Sequence, residues 1–210
     1  MSPLLMGLLG VMVVPLFVAT WRSSLFGLSC QGLLIAWAAY RLNPDLHVIG
    51  TWLNLADLVL VRGIGAPLLL YRLMRSQNHT ARHDIIPPNL LSWTVALGLV
   101  LAAFNLSSVL VTIDGDQRAL TSVAAAAVLL AFLVLASQST PFGQVVGALR
   151  LENGIALFEL GGEHDHQSLV TQVGQLGIVV ATIGLYLWLL EGFSEGGGAP
   201  LEPTQDEPTL

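Results

Sequence analysis

Five charged residues stand where a helix buried in hydrocarbon should have none: Asp57, Arg62, Arg150, Glu152 and Glu159. The first two lie in the apolar run Thr51-Trp52-Leu53-Asn54-Leu55-Ala56-Asp57-Leu58-Val59-Leu60-Val61-Arg62-Gly63-Ile64-Gly65-Ala66-Pro67, the others between Gly143 and Glu159. A charge at the centre of a bilayer costs at least about 2.5–3.5 kcal/mol, so each requires a partner or a use. Two uses fit carboxylates beside guanidinium groups. One is a fixed ion pair that sets helix register. The other is a proton-carrying site, because burial disfavours the ionised carboxylate, a neighbouring guanidinium favours it, and a small displacement tips the balance. Residue types and spacing leave both open.

In α-helical geometry Glu152 and Glu159 share nearly one face, about 10 Å apart along the axis, and Arg150 is rotated about 200° from Glu152. Arg62 and Glu152 fall near the middle of their apolar segments, with Asp57 and Glu159 nearer the outer face. The expected arrangement therefore sets Arg62 against Glu152, directly or through water, and turns Arg150 toward Asp57 or a carboxylate on a partner subunit. Asn54, Asn105, Gln144, Asn153, Gln172 and Gln175 either hold bridging waters along a polar route or hydrogen-bond neighbouring helices.

The elements that must position these groups are transmembrane helices. Of 210 residues 54% are hydrophobic and only 10% charged, against about 25% charged in an ordinary soluble domain; the mean hydropathy is +0.72. A bilayer core needs about 20 apolar residues per helix. That length fits seven segments: Pro3 to Thr20, Ser24 to Tyr40, Ile49 to Leu73, Asn89 to Ile113, Ala119 to Ser137, Pro141 to Leu160 and Leu169 to Glu191. The expected fold is an all-α polytopic bundle. Residues 1–118 supply the first four helices, 119–192 the last three, and 193–210 an acidic disordered tail. Met1 to Met6 holds no basic residue, so the first segment is expected to be a retained helix rather than a cleaved signal. The first two segments are short, joined by Trp21-Arg22-Ser23, and could form one tilted or re-entrant unit. Arg22, Arg72, Arg75 and Arg82 on one side, against Arg41 and Arg118 on the other, place the amino terminus outside and the carboxyl terminus in the cytoplasm. The pair Gly143 and Gly147, and the run Ala124 to Ala127, allow close helix approach. Pro67 is expected to kink the third helix.

Several chemistries are excluded. Eight arginines, no lysine and a net charge of −6 leave no basic stripe for nucleic acid. The single Cys30 supports no disulfide framework or cysteine-based cluster, and there is no phosphate loop, HExxH or GxSxG signature. The histidine groups His79 to Asp84 and Glu163 to His166 read as solvated loops or a proton-collecting mouth more readily than as a metal site. No cofactor or catalytic centre is expected in this chain.

Arg62-Gly63-Ile64-Gly65-Ala66-Pro67-Leu68-Leu69-Leu70 and Leu149-Arg150-Leu151-Glu152-Asn153-Gly154-Ile155 carry a resemblance over most of the chain to the family of the hydrogenase-4 E component. Members of that family are membrane components of complexes related to respiratory complex I. The resemblance implies that the last three helices are similar to the K subunit of complex I and to the C subunit of multisubunit cation/proton antiporters. Glu152 then takes the place of the glutamate on the K subunit's middle helix. The chain departs from that subunit in its last helix, where Gln172 and Gln175 stand and no mid-helix glutamate does; Glu159 or a partner's carboxylate is the implied substitute. The implied function is coupling of redox chemistry in a peripheral arm to proton or sodium movement. The implied partners are antiporter-like membrane subunits, in a bacterial inner membrane. A component of a cation/proton antiporter and a non-conducting scaffold are the alternatives.

Overall fold

The computed structural model describes residues 3–13, 17, 20–42, 49–76, 90–110, 115–161 and 169–196. Its elements are helices: α1 (Pro3–Val13), α2 (Trp21–Leu42), α3 (Ile49–Ala56), a π-helical segment (Asp57–Gly65), α4 (Ala66–Ser76), α5 (Leu90–Leu110), α6 (Gly115–Ser137), α7 (Pro141–Gly161) and α8 (Leu169–Gly196). Trp21–Leu42, Ile49–Arg75, Leu90–Val109 and Gln117–Ser137 are long and apolar enough to cross a membrane. Their number and hydropathy are those of a helical membrane protein. At 11 residues, α1 reaches only about 16 Å. With 21 residues α7 has the length, but Arg150, Glu152, Asn153 and Glu159 dilute its apolar content. The helix α8 contains the shorter apolar stretch Leu176–Leu190. It runs on through Ser194 and Glu195 to Gly196, past the expected start of the tail; residues 197–210 lie outside the described residues.

Local chemistry accounts for the helix starts. Trp21-Arg22-Ser23, expected as a break, is the first turn of α2. Thr20 precedes it as a cap, its hydroxyl accepting from the Ser23 N–H at 3.4 Å and its carbonyl from the Ser24 N–H at 3.1 Å. Thr140 does the same for α7, its hydroxyl accepting from the Gly143 N–H at 3.2 Å. Pro141 occupies the first helical position, where a missing N–H costs nothing.

The most extensive packing is between α6 and α7. A Cβ on Gly147 would lie 3.2 Å from the Leu135 Cα, and one on Gly154 would lie 3.1 Å from the Val128 nitrogen. The close approach thus uses Gly147 and Gly154, two turns apart. Gly143, the other half of the expected pair, instead makes room for the Gln138 and Thr140 side chains of the preceding turn. On the far side of α6, Ser107 and Ser122 join α5 to α6 through their hydroxyls. The outward face of α5 is apolar and open, with Leu90, Leu91 and Val109 exposed.

Two apolar clusters hold the bundle. One gathers Leu5, Leu8 and Met12 of α1 with Ile35, Leu58, Val123, Leu130 and Leu157. The other gathers Trp21, Leu25, Leu28, Ala66, Leu70, Phe142, Val146, Leu149, Val179 and Ile183. Three elements run through both, and each turns polar between them. On α2 buried Gln31 separates Leu28 from Ile35; on the π-helical segment Arg62 separates Leu58 from Ala66; on α7 Glu152 and Asn153 separate Leu149 from Leu157. These residues stand near the middle of Trp21–Leu42, Ile49–Arg75 and Pro141–Gly161. Trp21 meets Phe142 edge to face, with ring centroids 4.8 Å apart, so α2 and α7 start at the same end of the bundle. The two apolar clusters therefore sandwich a polar layer at mid-depth.

Gly32, next to that layer, is the tightest crossing. A Cβ there would lie 2.8 Å from the Gly63 Cα and 2.9 Å from the Gly63 nitrogen, against backbone that cannot swing aside. Gly32→Ala is predicted to lower the unfolding free energy, read by denaturant titration in micelles, by about 1–3 kcal/mol. Gly177→Ala, where a Cβ meets nothing within 4 Å, is predicted to leave it unchanged or raise it by up to about 1 kcal/mol. Equal effects at both glycines would contradict the close crossing.

Candidate functional site

The site begins with the winding of Asp57–Gly65. In an α-helix residues five apart are separated by about 140° around the axis, so Asp57 and Arg62 could not meet. In a π-helix the repeat closes at five residues and stacks one above the other. The backbone bond from the Ala66 N–H to the Val61 carbonyl carries this repeat. It ends against Pro67, which has no N–H to give. Gly63 and Gly65 accommodate the winding: a Cβ on Gly65 would lie 2.8 Å from the Leu60 carbonyl oxygen. Before Pro67, where a kink is expected from the sequence, the chain places a π-helical segment, which matches the tendency of such segments to occur at functional sites.

The product is a buried ion pair. Arg62 Nε donates to Asp57 Oδ2 at 2.9 Å, and Arg62 is 6% exposed. The bond uses one edge of the guanidinium and one carboxylate oxygen. Asp57 Oδ1 and Arg62 Nη1 are buried without a hydrogen-bond partner among the described residues. Arg62 also lines a small cavity with Leu28, Ala66, Leu149, Glu152, Asn153 and Ile183. On α7 Leu149, Glu152 and Asn153 share one face by the i, i+3, i+4 rule, and this face looks at the π-helical segment across the cavity. Glu152 is half-buried there, within coulombic range of both Arg62 and Asp57. Tyr186 of α8 lies within range of Glu152. Asn153 is 2% exposed, and its Nδ2 has no partner among the described residues.

The expected partnerships therefore redistribute. Arg62 and Glu152 do meet at one cavity, but the bonded partner of Arg62 is Asp57. Arg150 was expected to turn toward Asp57 or an external carboxylate. Rather than toward Asp57, it reaches across to α2, where Nη2 donates to the Ser24 carbonyl at 3.2 Å and hydroxyl at 3.1 Å; a carboxylate on a partner subunit stays an expectation. The reason is the π-winding, which hands Asp57 to Arg62. Arg150 borders a second cavity with Met12, Gln31, Ala127, Leu130, Ala131 and Val134. Glu159, two turns beyond Glu152, is half-buried as well but lines neither cavity.

Among the candidate polar residues, Asn153 belongs to the layer. Asn105 is exposed and bonds its own helix at the Leu101 carbonyl, 2.9 Å away, Gln144 donates to the Gln138 carbonyl at 3.5 Å, and Asn54 is exposed. The side chains of Gln172 and Gln175, both histidine groups and Arg82 lie outside the described residues. Gln31 and Ser24 escaped the sequence reading. The legible signal for Gln31 was its place at the centre of a 22-residue apolar helix. Among the described residues no group of histidine, cysteine, aspartate and glutamate could hold a metal ion.

Comparison with protein-family models, with curated proteins and with solved structures finds no match. The chemistry of the site therefore follows from its own geometry.

Breaking one side of a buried pair strands the other charge. Asp57→Asn is predicted to cost about 3–5 kcal/mol in a denaturant titration, with the combined Asp57→Leu and Arg62→Met replacement costing far less than the sum of the single changes. Additive losses would show that the two side chains are not coupled.

Proposed function

We propose that this chain is a membrane-arm component of a complex-I-related assembly of the hydrogenase or formate-hydrogenlyase type, coupling redox chemistry in partner subunits to proton or sodium movement. Its seat would be the bacterial inner membrane, with antiporter-like subunits against its open apolar faces. The observation that carries this reading is the shared guanidinium: Arg62 is held by Asp57 through Nε and borders, at the same cavity, the half-buried Glu152. A permanent positive charge held beside Glu152 lets the position of the arginine govern how readily that carboxylate ionises. Arginine itself stays protonated, so Glu152 is the group that takes up and releases the proton.

The same charges support a coupling mechanism within the chain. Arg62 is mounted on a π-helical segment, a winding that differs from the flanking α-helix by a small change in backbone pairing. Any movement of α3 or α4 imposed by a partner alters the distance from Arg62 to Glu152, and in a low-dielectric interior a change of an ångström or two in that distance matters. Arg150, bonded to Ser24, ties the same stretch of α7 to α2. Glu159, further along α7, is the next carboxylate toward the outer face in this reading.

A second reading, a non-conducting scaffold, draws support from the Asp57–Arg62 bond lying within a single segment, as a purely structural pair would. The variant Glu152→Gln distinguishes the two. It is expected to leave assembly of the complex intact and to reduce coupled ion translocation in proteoliposomes by at least about tenfold, the loss common for a positioned proton-transfer group. Unchanged translocation would assign Glu152 to structure and favour the scaffold.

A further inference from the structure

Two residues that line the cavity between the π-helical segment and α7 each carry a buried N–H group with no acceptor among the described residues, Arg62 at Nη1 and Asn153 at Nδ2. Both residues are more than nine-tenths buried, at 6% and 2% exposure. A buried donor left unpaired costs about 1–3 kcal/mol, and more when charged, so two on one small cavity call for an acceptor between them. Leu28, Ala66, Leu149 and Ile183 complete the wall and offer no polar side chain. Glu152 is the other polar group there, and its carboxylate accepts. The space is that of a single water molecule. A molecule of that size that accepts from two N–H groups while donating to a carboxylate is water, and three such bonds are the usual complement of a buried one.

We propose that Arg62, Asn153 and Glu152 bind one internal water molecule, and that Asn153 is the positioning residue that holds it against the Glu152 carboxylate. The role of this water rests on the proton-carrying reading of Glu152; its presence does not. A proton reaching the site is relayed through this water: the water takes it up on a lone pair released by one N–H bond as its own O–H bond toward Glu152 breaks and the carboxyl O–H bond forms, so a neutral water remains in place and no cation rests beside Arg62. Arg62 contributes orientation and charge but keeps its own proton. The same wall disfavours an alkali cation. Sodium in membrane proteins is held by oxygens such as freed backbone carbonyls, whereas this cavity presents two N–H donors and a permanent positive charge. The site is thus one for water and protons, not for sodium.

The test is infrared difference spectroscopy on the full chain in lipid nanodiscs, exchanging ordinary water for heavy-oxygen water. The wild type is expected to show an isotope-sensitive O–H band of an internal water, lost in Asn153→Leu and retained in Asn153→Ser, whose hydroxyl also donates. Absence of the band in the wild type, or its survival in Asn153→Leu, would overturn the proposal. Radiolabelled sodium is expected not to be retained by the wild-type chain; retention that disappears in Asn153→Leu would overturn the exclusion of sodium. These readouts need no turnover. An internal water found together with unimpaired translocation by Glu152→Gln would sink the functional reading and leave the water site standing.

Discussion

A charge in hydrocarbon must find its counter-charge within reach of its own side chain, and in this bundle the backbone is rewound to make that possible. Asp57 and Arg62 are five residues apart, a spacing that an α-helix spreads over two faces and a π-helix brings onto one. The 2.9 Å bond between them is the result. Its surroundings follow from the same constraint: Gly63 and Gly65 leave room for the winding, Pro67 terminates it, and Gly32 lets α2 cross directly over Gly63. Without the π-helical segment Arg62 would have to be neutralised from another helix, and Glu152, at the same cavity, is placed to supply the charge. The segment therefore decides whether Glu152 is consumed as a counter-ion or left available for other chemistry.

The layering of the bundle gives the pair its setting. Apolar clusters lie on either side of the level of Gln31, Arg62 and Asn153, which are buried, and of the half-buried Glu152. Ion pairs in such a setting are costly to assemble and contribute little net stability against a well-packed apolar alternative. Retaining several polar groups at one depth, on three different elements, is therefore economical only as function or as specification of register. α7 is the element common to both possibilities, since Arg150 ties it to α2 and Glu152 turns it toward the π-helical segment.

Much of this was legible in the residues. Hydropathy runs locate the long helices because the bilayer thickness fixes their length, and Ser139-Thr140-Pro141 marks the start of α7 because threonine caps and proline begins a helix. The charges that form the polar layer stand out because apolar segments tolerate none without cause. The pairing among them did not stand out. Partner assignment assumed α-helical phase throughout, and the π-winding shifts the phase of Asp57 relative to Arg62; the only local hint was Gly63, Gly65 and Pro67 clustered after the pair. The role of Gly154 over Gly143 was likewise hidden, because a four-residue motif does not say which glycine faces the partner helix and which faces its own preceding turn. Ser24 as the receiver of Arg150 depends on tertiary contact across more than a hundred residues, 126 in sequence, which no local pattern encodes.

The central claim is that Arg62 is neutralised by Asp57 inside the same segment. Solid-state NMR on the full chain in lipid bilayers, measuring the dipolar coupling between the Arg62 side-chain nitrogens and the Asp57 carboxyl carbon, addresses it directly. A strong coupling confined to Nε, with Nη1 uncoupled from that carbon, is the predicted result. A weak Nε coupling, or a strong one from Arg62 to Glu152 in place of Asp57, would contradict it.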